Sequence, residues 1–422
     1  MNRMDSMKEV MYLPSPQNLN IFWNLGSMLG LVLVLQVFTG VLLSMHYSSD
    51  VSHAFESVIH IMRDVPGGWM LRTMHANGAS IFFLLLYIHI GRGLYYQSYK
   101  TNPLVWLSGC TLYVLCMAAA FLGYVLPWGQ MSLWGATVIT NFISAIPYVG
   151  GSVVEWVWGG YSVGQPTLSR FYSLHFLLPM VIMMMVIVHI VMLHEKGSSN
   201  PLGCMSHLHK VTFHPYFSWK DMVGFLFLFM MLIILVFYFP YTLNDPENFI
   251  PANSLVTPVH IMPEWYFLFA YAMLRAVPTK LGGVMILIFS ILILFLLPLC
   301  SNKPVLPSSF NPLHQICTWL FFSYFLLLTW LGSCVAEEPY TGLSYVMTLF
   351  YFTSLLNMPY TGEEFEFLVF NTISIRSYLT NIVITKLVFM VKPMLKFIFL
   401  NILFTTSVLM PPIYLMVWMT NW

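Results

Sequence analysis

Long apolar stretches separated by polar segments dominate this chain. A bilayer core of about 30 Å is crossed by roughly 20 apolar residues in a helix, and eight stretches approach that length. They cover residues 23–46, 73–96, 104–126, 171–194, 222–240, 282–300, 313–332 and 343–358. The pattern therefore predicts an all-α polytopic membrane protein with eight transmembrane helices.

The lengths of the connecting segments predict which membrane face carries folded loops. The long connections are 47–72, 127–170 and 241–281, and each follows an odd-numbered predicted helix. These three loops therefore share one face, here called side P, and the N-terminus lies on the opposite face, side N. Lys and Arg are slightly more frequent in the side-N segments, which favours the matrix or cytoplasm for side N.

The pattern changes after Pro359. Three glutamates precede an apolar stretch that charged residues interrupt, and residues 397–419 are apolar again. A ninth transmembrane helix over 397–419 and an amphipathic tail on the membrane surface are both compatible with this pattern. The predicted parts are a four-helix transmembrane domain over 1–210, the next four helices and the loop 241–281 over 211–358, and an extension over 359–422.

Composition excludes several functional classes. Of the 422 residues, 58% are hydrophobic and only 8% are charged, whereas soluble proteins carry about 25% charged residues. A formal net charge of +1 provides no basic field for nucleic acid. The six cysteines form no C-x-x-C motif, which argues against an iron–sulfur site or a c-type haem attachment. Membrane lipid is the expected environment.

Four histidines occupy matching positions in the second and fourth predicted helices. They are His75 and His89 in one helix and His175 and His189 in the other, and the members of each pair are fourteen positions apart. Fourteen helical residues rise about 21 Å and complete nearly four turns, so each pair points from one face at two depths. Because both helices cross the membrane in the same direction, His75 is level with His175 near side P. His89 is level with His189 towards side N.

This arrangement predicts haem ligation. A single membrane histidine is more often bonded to a backbone carbonyl, but the repeated spacing places two imidazoles at each of two depths. Two facing imidazoles suit the axial positions of a haem, and they leave no free position for oxygen. We therefore expect two b-type haems that transfer electrons, with the four histidines binding the haem iron.

Four glycines repeat the same spacing in the first and third predicted helices. They are Gly26 and Gly40 in the first helix and Gly109 and Gly123 in the third. Gly40 and Gly123 fall at the depth of the side-P histidines, and the other two fall at the depth of the side-N histidines. A haem wedged among four helices needs close approach of the backbone, which glycine permits. Helix packing through small residues is the alternative.

Two arginines accompany the histidines. Arg72 and Arg92 each lie three residues from a predicted haem ligand. An arginine within a membrane helix requires a partner, and the anionic haem propionates accept charge-assisted hydrogen bonds. Propionate pairing is therefore favoured over snorkelling of the side chains to the membrane surface. Trp106 is a candidate to cover the haem nearer side N.

Five runs of residues form a recognisable set. They are RTMHANGAS from Arg72, HIGRGLYY from His89, GYVLPWGQMSLWGATVITN from Gly123, HEKGSSNP from His194 and PEWYFLFAYAMLR from Pro263. Together they closely resemble the mitochondrial cytochrome b family, whose members form the core of ubiquinol–cytochrome c reductase, or respiratory complex III. The resemblance covers about residues 20–360, and nothing transfers to residues 360–422. Equal histidine spacings in an unsplit chain favour the respiratory branch over the photosynthetic one.

The resemblance implies a reaction and its partners. The family oxidises quinol near the positive side, here side P, and sends one electron to a Rieske iron–sulfur protein and then to cytochrome c1. The second electron crosses both haems to reduce a quinone near side N, which couples electron transfer to proton translocation. Ubiquinol and ubiquinone, other complex subunits, a homodimer of complexes and the mitochondrial inner membrane follow from the same resemblance, more readily than a bacterial plasma membrane.

Glu264 is the candidate proton acceptor at side P. It lies in a Pro-Glu-Trp-Tyr sequence within the third long loop, and an apolar pocket would raise the pKa of its carboxyl so that it could accept a quinol proton. A solvated loop acid is the alternative. Tyr271 is expected on the same face of a short helix. The resemblance places further residues in the quinol pocket: Phe121, Gly129, Gly135 and Pro263.

His194 and Asp221 are the candidate proton donors at side N. A histidine and a carboxylate can deliver two protons to a reduced quinone, whereas an interfacial salt bridge between them is the alternative. The residues expected at the same level are Ser198 in the following loop and Trp23, Asn24 and Ser27 in the first helix.

Two other function classes remain open from the sequence. A two-haem transmembrane reductase of the ascorbate-using type would also stack four histidines, but it would need only about six spans and no Pro-Glu-Trp-Tyr loop. A non-redox transporter could use the histidines to relay protons. Haem absorbance in the purified protein would separate the transporter from both oxidoreductases.

Overall fold

Helices account for nearly all of the regular structure in the computed structural model, which describes residues 12–300 and 307–375, with side chains up to 361 and at 365. In chain order the helices are α1 (Leu25–Ser44), α2 (Ala54–Arg63), α3 (Gly68–Tyr95), α4 (Ser98–Thr101), α5 (Pro103–Val125), α6 (Gln130–Asn141), α7 (Gly150–Trp158), α8 (Gln165–Lys196), α9 (Phe213–Phe237), α10 (Leu268–Ala276), α11 (Lys280–Leu296), α12 (Pro312–Ser333) and α13 (Tyr340–Ile375). The chain divides into two units, Met1–Glu363 and Glu364–Trp422, and the first unit carries the sites described below.

Seven of these helices are long and apolar enough to cross a membrane, counting the described residues only. They are α1, α3, α5, α8, α9, α11 and α12, and they coincide with the first seven predicted spans. Helix α9 begins at Phe213, earlier than the predicted 222, because the polar Lys220 and Asp221 hid the first turns of this helix from a search for apolar residues. The all-α polytopic prediction is confirmed.

The eighth predicted span, 343–358, is helical but belongs to the longer helix α13. This helix passes through Pro359, where proline removes one backbone hydrogen bond. The ammonium group of Lys100, in the short helix α4, donates a hydrogen bond to the Pro359 carbonyl at 2.9 Å. The predicted ninth span, 397–419, lies outside the described residues.

The first four membrane helices form two antiparallel pairs. Helix α1 packs against α3, and α5 packs against α8. The two pairs meet near side P, where the rings of His75 and His175 approach each other. The described C-terminal helices pack beside this bundle, and the indole of Trp106 joins them by donating to the Leu294 carbonyl at 2.8 Å.

The three long loops contact one another, as expected for loops on one face. The Tyr47 hydroxyl of the first loop donates to the Leu126 carbonyl at the start of the second, at 2.6 Å. Gly129 of the second loop forms an isolated β-bridge with Pro251 of the third. At the opposite face, a two-stranded antiparallel ribbon joins β1 (Pro14–Pro16) to β2 (Lys210–Thr212).

Candidate haem-binding and quinone-binding sites

Each of the four spaced histidines faces one of the four spaced glycines on the paired helix. A Cβ atom added to the glycine would meet the imidazole Cε1 at 2.4 Å for Gly123 and His175, 3.1 Å for Gly40 and His75, 3.4 Å for Gly109 and His189, and 3.5 Å for Gly26 and His89. From the sequence we expect the glycines to admit the face of a haem, and this stays a prediction. In the structure each glycine lies against an imidazole ring of the paired helix.

The side-P histidines face each other across the bundle. The ring centroids of His75 and His175 are 6.2 Å apart, and the rings are nearly perpendicular. A bond between a metal ion and an imidazole nitrogen is about 2 Å long, so this separation suits one metal ion between two rings. The described residues contain no group of three or more His, Cys, Asp or Glu side chains that could hold a metal ion. The remaining ligands would therefore come from a macrocycle such as haem.

Hydrogen bonds orient the side-P histidines. The Nδ1 atom of His75 lies 2.9 Å from the Thr39 hydroxyl, and that of His175 donates to the Ala119 carbonyl at 2.8 Å. A partner at Nδ1 fixes the tautomer and leaves Nε2 for a metal ion. Both imidazoles are thus prepared for axial ligation.

Of the side-N histidines, His189 has a comparable partner, because its Nδ1 atom lies 2.8 Å from the Ser108 hydroxyl. The Nδ1 atom of His89 lies 3.4 Å from the Arg92 guanidinium, which can only donate, so this contact does not select the tautomer that leaves Nε2 for a metal ion. Sequence reasoning missed the orienting hydroxyls, although a signal exists. Thr39 and Ser108 each immediately precede one of the spaced glycines, on the helix that faces the histidines.

A cavity of about 500 Å³ surrounds the side-P histidines. Its lining includes both imidazoles, the facing Gly40 and Gly123, and the charged side chains of Arg72 and Glu264. The ion pairs among the described residues are two surface His–Asp pairs, so Arg72 is not paired with a carboxylate there. A cation facing a cavity of this size suits an anionic group of a bound ligand, such as a haem propionate.

Arg92 occupies the corresponding position near side N. Its guanidinium lies 5.4 Å from the centre of the Trp23 ring, and its Nε atom is buried without a hydrogen-bond partner. An unsatisfied buried donor of this kind requires an acceptor from a ligand or from water.

Trp106 is also buried. Its described contacts are with Tyr99, Gly93 and Leu294, so the indole packs between α5 and its neighbours.

Glu264 is buried at the edge of the cavity. The pKa of its carboxyl is raised to about 7 as the net result of several contributions: burial and then the negative charge of Asp245 raise it, whereas a hydrogen bond from the Tyr124 hydroxyl and the positive charge of Arg72 lower it. The group can therefore exchange a proton near neutral pH. Tyr124 was not identified from the sequence, although it directly follows Gly123 in a run that was singled out.

The prediction that Tyr271 shares a helix face with Glu264 is wrong. Glu264 has extended backbone angles (φ −54°, ψ 149°) and precedes a short 3₁₀ turn, Trp265–Phe267. Tyr271 lies in α10, which begins at Leu268, and its hydroxyl donates to the Ile261 carbonyl at 3.0 Å. The chain becomes helical only after Glu264, so seven residues of spacing do not correspond to two helical turns.

The other predicted quinol-pocket residues have different surroundings. Phe121 packs edge-on against Phe171 at 5.9 Å. A Cβ atom on Gly129 would meet Asn248 at 2.4 Å, so this glycine allows the second and third loops to approach, whereas Gly135 has open space within 4 Å of an added Cβ atom. Only Gly135 therefore leaves room that a flat ring could use. Pro263 is partly buried beside Glu264.

Three of the predicted side-N residues are brought together. The Ser27 hydroxyl donates to the Asp221 carboxylate at 2.8 Å, and the Asn24 amide donates to the Ser27 hydroxyl at 2.9 Å. The Asn24 Oδ1 and Trp23 Nε1 atoms are buried without partners. Gly224 of α9, not identified from the sequence, permits this contact because a Cβ atom there would overlap the Asn24 amide at 1.6 Å.

His194 and Ser198 lie apart from that group. Both residues are exposed, and the two ion pairs found among the described residues do not join His194 to Asp221. The alternative of a salt bridge between these two side chains is therefore not seen. An exposed histidine at this face is in contact with water and not with the Ser27–Asp221 group.

Family models match both halves of the chain. The model described as "Cytochrome b/b6/petB" matches residues 10–197, and the model described as "Cytochrome b(C-terminal)/b6/petD" matches residues 251–352. The first range includes all four spaced histidines and glycines, and the second includes Glu264.

Relatives of known identity cover most of the chain. A protein named "Cytochrome b" from the snail Albinaria caerulea is 60% identical over 349 residues, which are 83% of this chain and 95% of the relative. Another from Cepaea nemoralis is 54% identical over 362 residues, covering 85% and 95%. A solved structure titled "Hyperthermophilic respiratory Complex III" matches with a TM-score of 0.82 and 29% identity, covering 86% of this chain and 96% of that one.

Proposed function

Because the chain belongs to the cytochrome b family and is the redox core of a respiratory complex III, we propose that it catalyses quinol–cytochrome c oxidoreduction coupled to proton translocation. In this proposal quinol is oxidised at side P and quinone is reduced at side N. The observation that carries it is the set of four histidine–glycine contacts, which prepare two pairs of imidazoles at two depths of one helix bundle.

The four histidines are the proposed axial ligands of two b-type haems. The pairs are His75 with His175 near side P and His89 with His189 near side N. When bound, each haem supplies a one-electron carrier, so that an electron can cross the bundle between the two quinone sites. The chain's own contribution is to hold the imidazoles of His75, His175 and His189 by an Nδ1 partner, and all four imidazoles against a facing glycine.

Arg72 and Arg92 are the proposed partners of the haem propionates. Arg72 faces the side-P cavity without a carboxylate partner among the described residues, and the buried Nε atom of Arg92 has no partner. A guanidinium binds a carboxylate through two parallel hydrogen bonds, so each arginine would fix the orientation of the macrocycle as well as neutralise it.

Glu264 is the proposed acceptor of a quinol proton. With a pKa of about 7, a substantial fraction of its carboxyl groups is ionised near neutral pH and can act as a general base. The same pKa makes the carboxylate basic enough to bind the proton that it accepts. The Tyr124 hydroxyl donates to this carboxylate and orients it. Because Glu264 lines the same cavity as the side-P histidines, proton acceptance and electron acceptance would occur in one enclosed space.

Asp221 is the proposed proton donor at side N. The Ser27 hydroxyl and the Asn24 amide connect it to the first helix, and the unpartnered Asn24 Oδ1 atom is an available acceptor for a quinol hydroxyl. His194 is exposed, so it would exchange protons with the aqueous phase. Ser198 would act with it at the membrane surface.

The partner subunits and the location are part of the proposal. Side P, with its three folded loops, would bind the Rieske iron–sulfur protein and cytochrome c1, and the complex would be a homodimer in the mitochondrial inner membrane. Residues 1–210 would form the di-haem domain, 211–358 the second set of helices with the quinol-site loop, and 359–422 an extension that contacts other subunits.

An absorbance spectrum of the purified complex, before and after addition of quinol, tests this function. We expect two b-type haems per chain, both reduced by quinol, and reduction of cytochrome c that stops when quinol is omitted. A spectrum without haem bands would contradict the proposal and favour the transporter. An ascorbate-type reductase would be reduced by ascorbate and not by quinol.

A further inference from the structure

Arg275 binds the carboxyl-terminal end of α12. Its Nη1 atom donates to the Cys334 carbonyl at 3.0 Å, and its Nη2 atom donates to the carbonyls of Leu331 and Gly332 at 2.8 Å and 3.1 Å. The last carbonyls of a helix lack partners within it and carry partial negative charge. A planar guanidinium with fixed donors satisfies three of them at once, so the side chain of Arg275 is held in one orientation.

The end of α12 is a rigid anchor. Leu331 is fully buried, and its neighbour Gly332 packs so tightly against α10 that an added Cβ atom would meet the Leu268 carbonyl at 2.2 Å. Met273, one turn from Leu268 in α10, is also fully buried. The carbonyl groups that accept hydrogen bonds from the Arg275 guanidinium therefore have little freedom to move.

The guanidinium of Arg275 covers the ring of Tyr271. The Cζ atom lies 4.6 Å from the ring centroid, within the distance at which a cation is attracted to an aromatic face. The two residues are four apart on α10 and therefore lie on the same side of this helix. The orientation of the tyrosine ring is thus set by the arginine.

Tyr271 in turn holds the segment that carries Glu264. Its hydroxyl donates to the Ile261 carbonyl at 3.0 Å. Two residues separate Ile261 from Glu264, and one of them is Pro263, whose ring restricts the backbone. A shift of the Ile261 carbonyl would therefore be transmitted to the Glu264 carboxyl.

We propose that Arg275 is a positioning residue for quinol oxidation, acting through Tyr271 and the Ile261 carbonyl on the placement of Glu264. This proposal rests on the proposed function of Glu264 as proton acceptor. Arg275 touches neither the cavity nor the carboxylate in the described contacts. Its effect on the reaction is conveyed by two contacts, one cation–π contact and one hydrogen bond.

The experiment measures quinol–cytochrome c turnover in the assembled complex, per haem, across pH. Arg275→Gln removes the charge and the fork of donors, whereas Arg275→Lys keeps the charge but loses the planar fork. We expect kcat/KM to fall about three- to tenfold in Arg275→Gln and less in Arg275→Lys. The acidic limb of the pH profile should move to lower pH, because a loosened segment exposes the Glu264 carboxyl to water.

A double-mutant cycle tests the route of the effect. Tyr271→Phe keeps the ring under the guanidinium and removes the hydrogen bond to Ile261, so it should shift the pH profile in the same direction. If Arg275 acts through Tyr271, the double variant should be no worse than the more affected single variant. Independent effects that multiply, or a pH profile that stays unchanged in Arg275→Gln, would overturn the proposal.

Arg170→Gln is the matched control. Arg170 also binds carbonyls at the end of a helix, those of Trp156 and Val157 in the last turn of α7, and it also lies on side P, but it has no contact with Tyr271 in the described structure. We expect normal kcat/KM and a normal pH profile per haem. Glu264→Gln separates the two proposals: an unchanged rate there would refute the role of Glu264, whereas a lowered rate with a normal Arg275→Gln profile would refute only the role of Arg275.

Discussion

The two ends of the bundle formed by the first four membrane helices share one sequence pattern but differ in their packing. At side P the added Cβ atoms of Gly123 and Gly40 would meet a histidine ring at 2.4 Å and 3.1 Å, whereas at side N those of Gly109 and Gly26 would meet one at 3.4 Å and 3.5 Å. The cavity of about 500 Å³ surrounds the side-P pair and extends to Glu264. The tighter histidines are thus the ones that share a space with the proposed proton acceptor.

This difference shows what a repeated spacing does and does not determine. The spacing of fourteen residues sets the depth of each histidine, because helix rise is constant. The approach of the two helices at that depth depends on side chains elsewhere along the contact. Where an added Cβ atom would meet the histidine ring at 2.4 Å, as at Gly123, only glycine fits without a shift of the ring or the helix. Where the distance is 3.5 Å, as at Gly26, the contact is an ordinary one and a methyl group is tolerated.

The largest expected effect is the loss of one haem. Replacing His89 by leucine removes one of the two proposed haem ligands at side N, and the remaining imidazole should bind a haem far more weakly. We expect the variant complex to contain one haem per chain and to keep quinol binding at side P, as measured by a pyridine haemochrome assay and by binding of a side-P inhibitor. The reciprocal variant His75→Leu should remove the other haem. Two haems in His89→Leu would contradict the assignment.

The next effect tests the difference between the two ends directly. An alanine at Gly123 places a methyl group 2.4 Å from the ring of His175, closer than a Cβ contact allows, so the imidazole or the helix must move. We expect Gly123→Ala to lose the side-P haem. The control is Gly26→Ala, where the same methyl group meets His89 at 3.5 Å and haem content should be nearly normal. Equal haem loss in both variants would show that the packing difference has no consequence.

The proton acceptor gives an effect of intermediate size. Glu264→Gln keeps the shape of the side chain but cannot accept a proton, so turnover should fall by about one to two orders of magnitude. A base is active when ionised, and the pKa of Glu264 is about 7, so the parent rate should rise with pH through neutrality. That acidic limb should disappear in the variant. Turnover measured from pH 5.5 to 9, with both haems retained, checks this; an unchanged limb would identify another group.

Loss of an orienting hydroxyl should have a smaller effect. Ser108→Ala removes the partner of the His189 Nδ1 atom, and loss of such a partner typically lowers metal affinity by about tenfold to a hundredfold. We expect weaker retention of the side-N haem on heating, with the haem content before heating preserved. Thr111→Val is the matched control, because Thr111 bonds only to the Leu107 carbonyl of its own helix in the described contacts. Equal haem loss in both would argue against an orienting role.

The smallest effect concerns the open space beside Gly135. A methyl group added at Gly135 meets no atom within 4 Å, so Gly135→Ala should leave haem content and folding unchanged. If a flat ring occupies that space, side-P inhibitors should bind several times more weakly and side-N inhibitors normally. Inhibitor titration of the variant measures this, and unchanged binding of both classes would place the ring elsewhere.

The order of the membrane helices and the depth of the four histidines were predictable from the sequence, whereas the local hydrogen bonds were not. The apolar stretches located the first seven membrane helices, and the repeated spacing paired His75 with His175. The Tyr124 hydroxyl on Glu264 was missed, because its direction depends on how the third loop folds back over α5. The shared face expected for Glu264 and Tyr271 failed because Glu264 precedes the helix, and α10 begins only at Leu268. Sequence spacing is informative only within one continuous helix.

The ribbon of β1 and β2 has a consequence for the order of synthesis. It pairs Pro14 with Thr212, and the nearby hydrogen bond from Ser27 to Asp221 spans 194 residues of chain. At a translation rate of roughly 5–20 residues per second, about ten to forty seconds separate the two halves of each contact. The first helix therefore enters the membrane with its side-N end unpaired, and a chaperone or a neighbouring subunit has that interval in which to bind it. The proposed quinone site at side N, formed by Asn24, Ser27 and Asp221, is closed only when the fifth membrane helix begins to emerge.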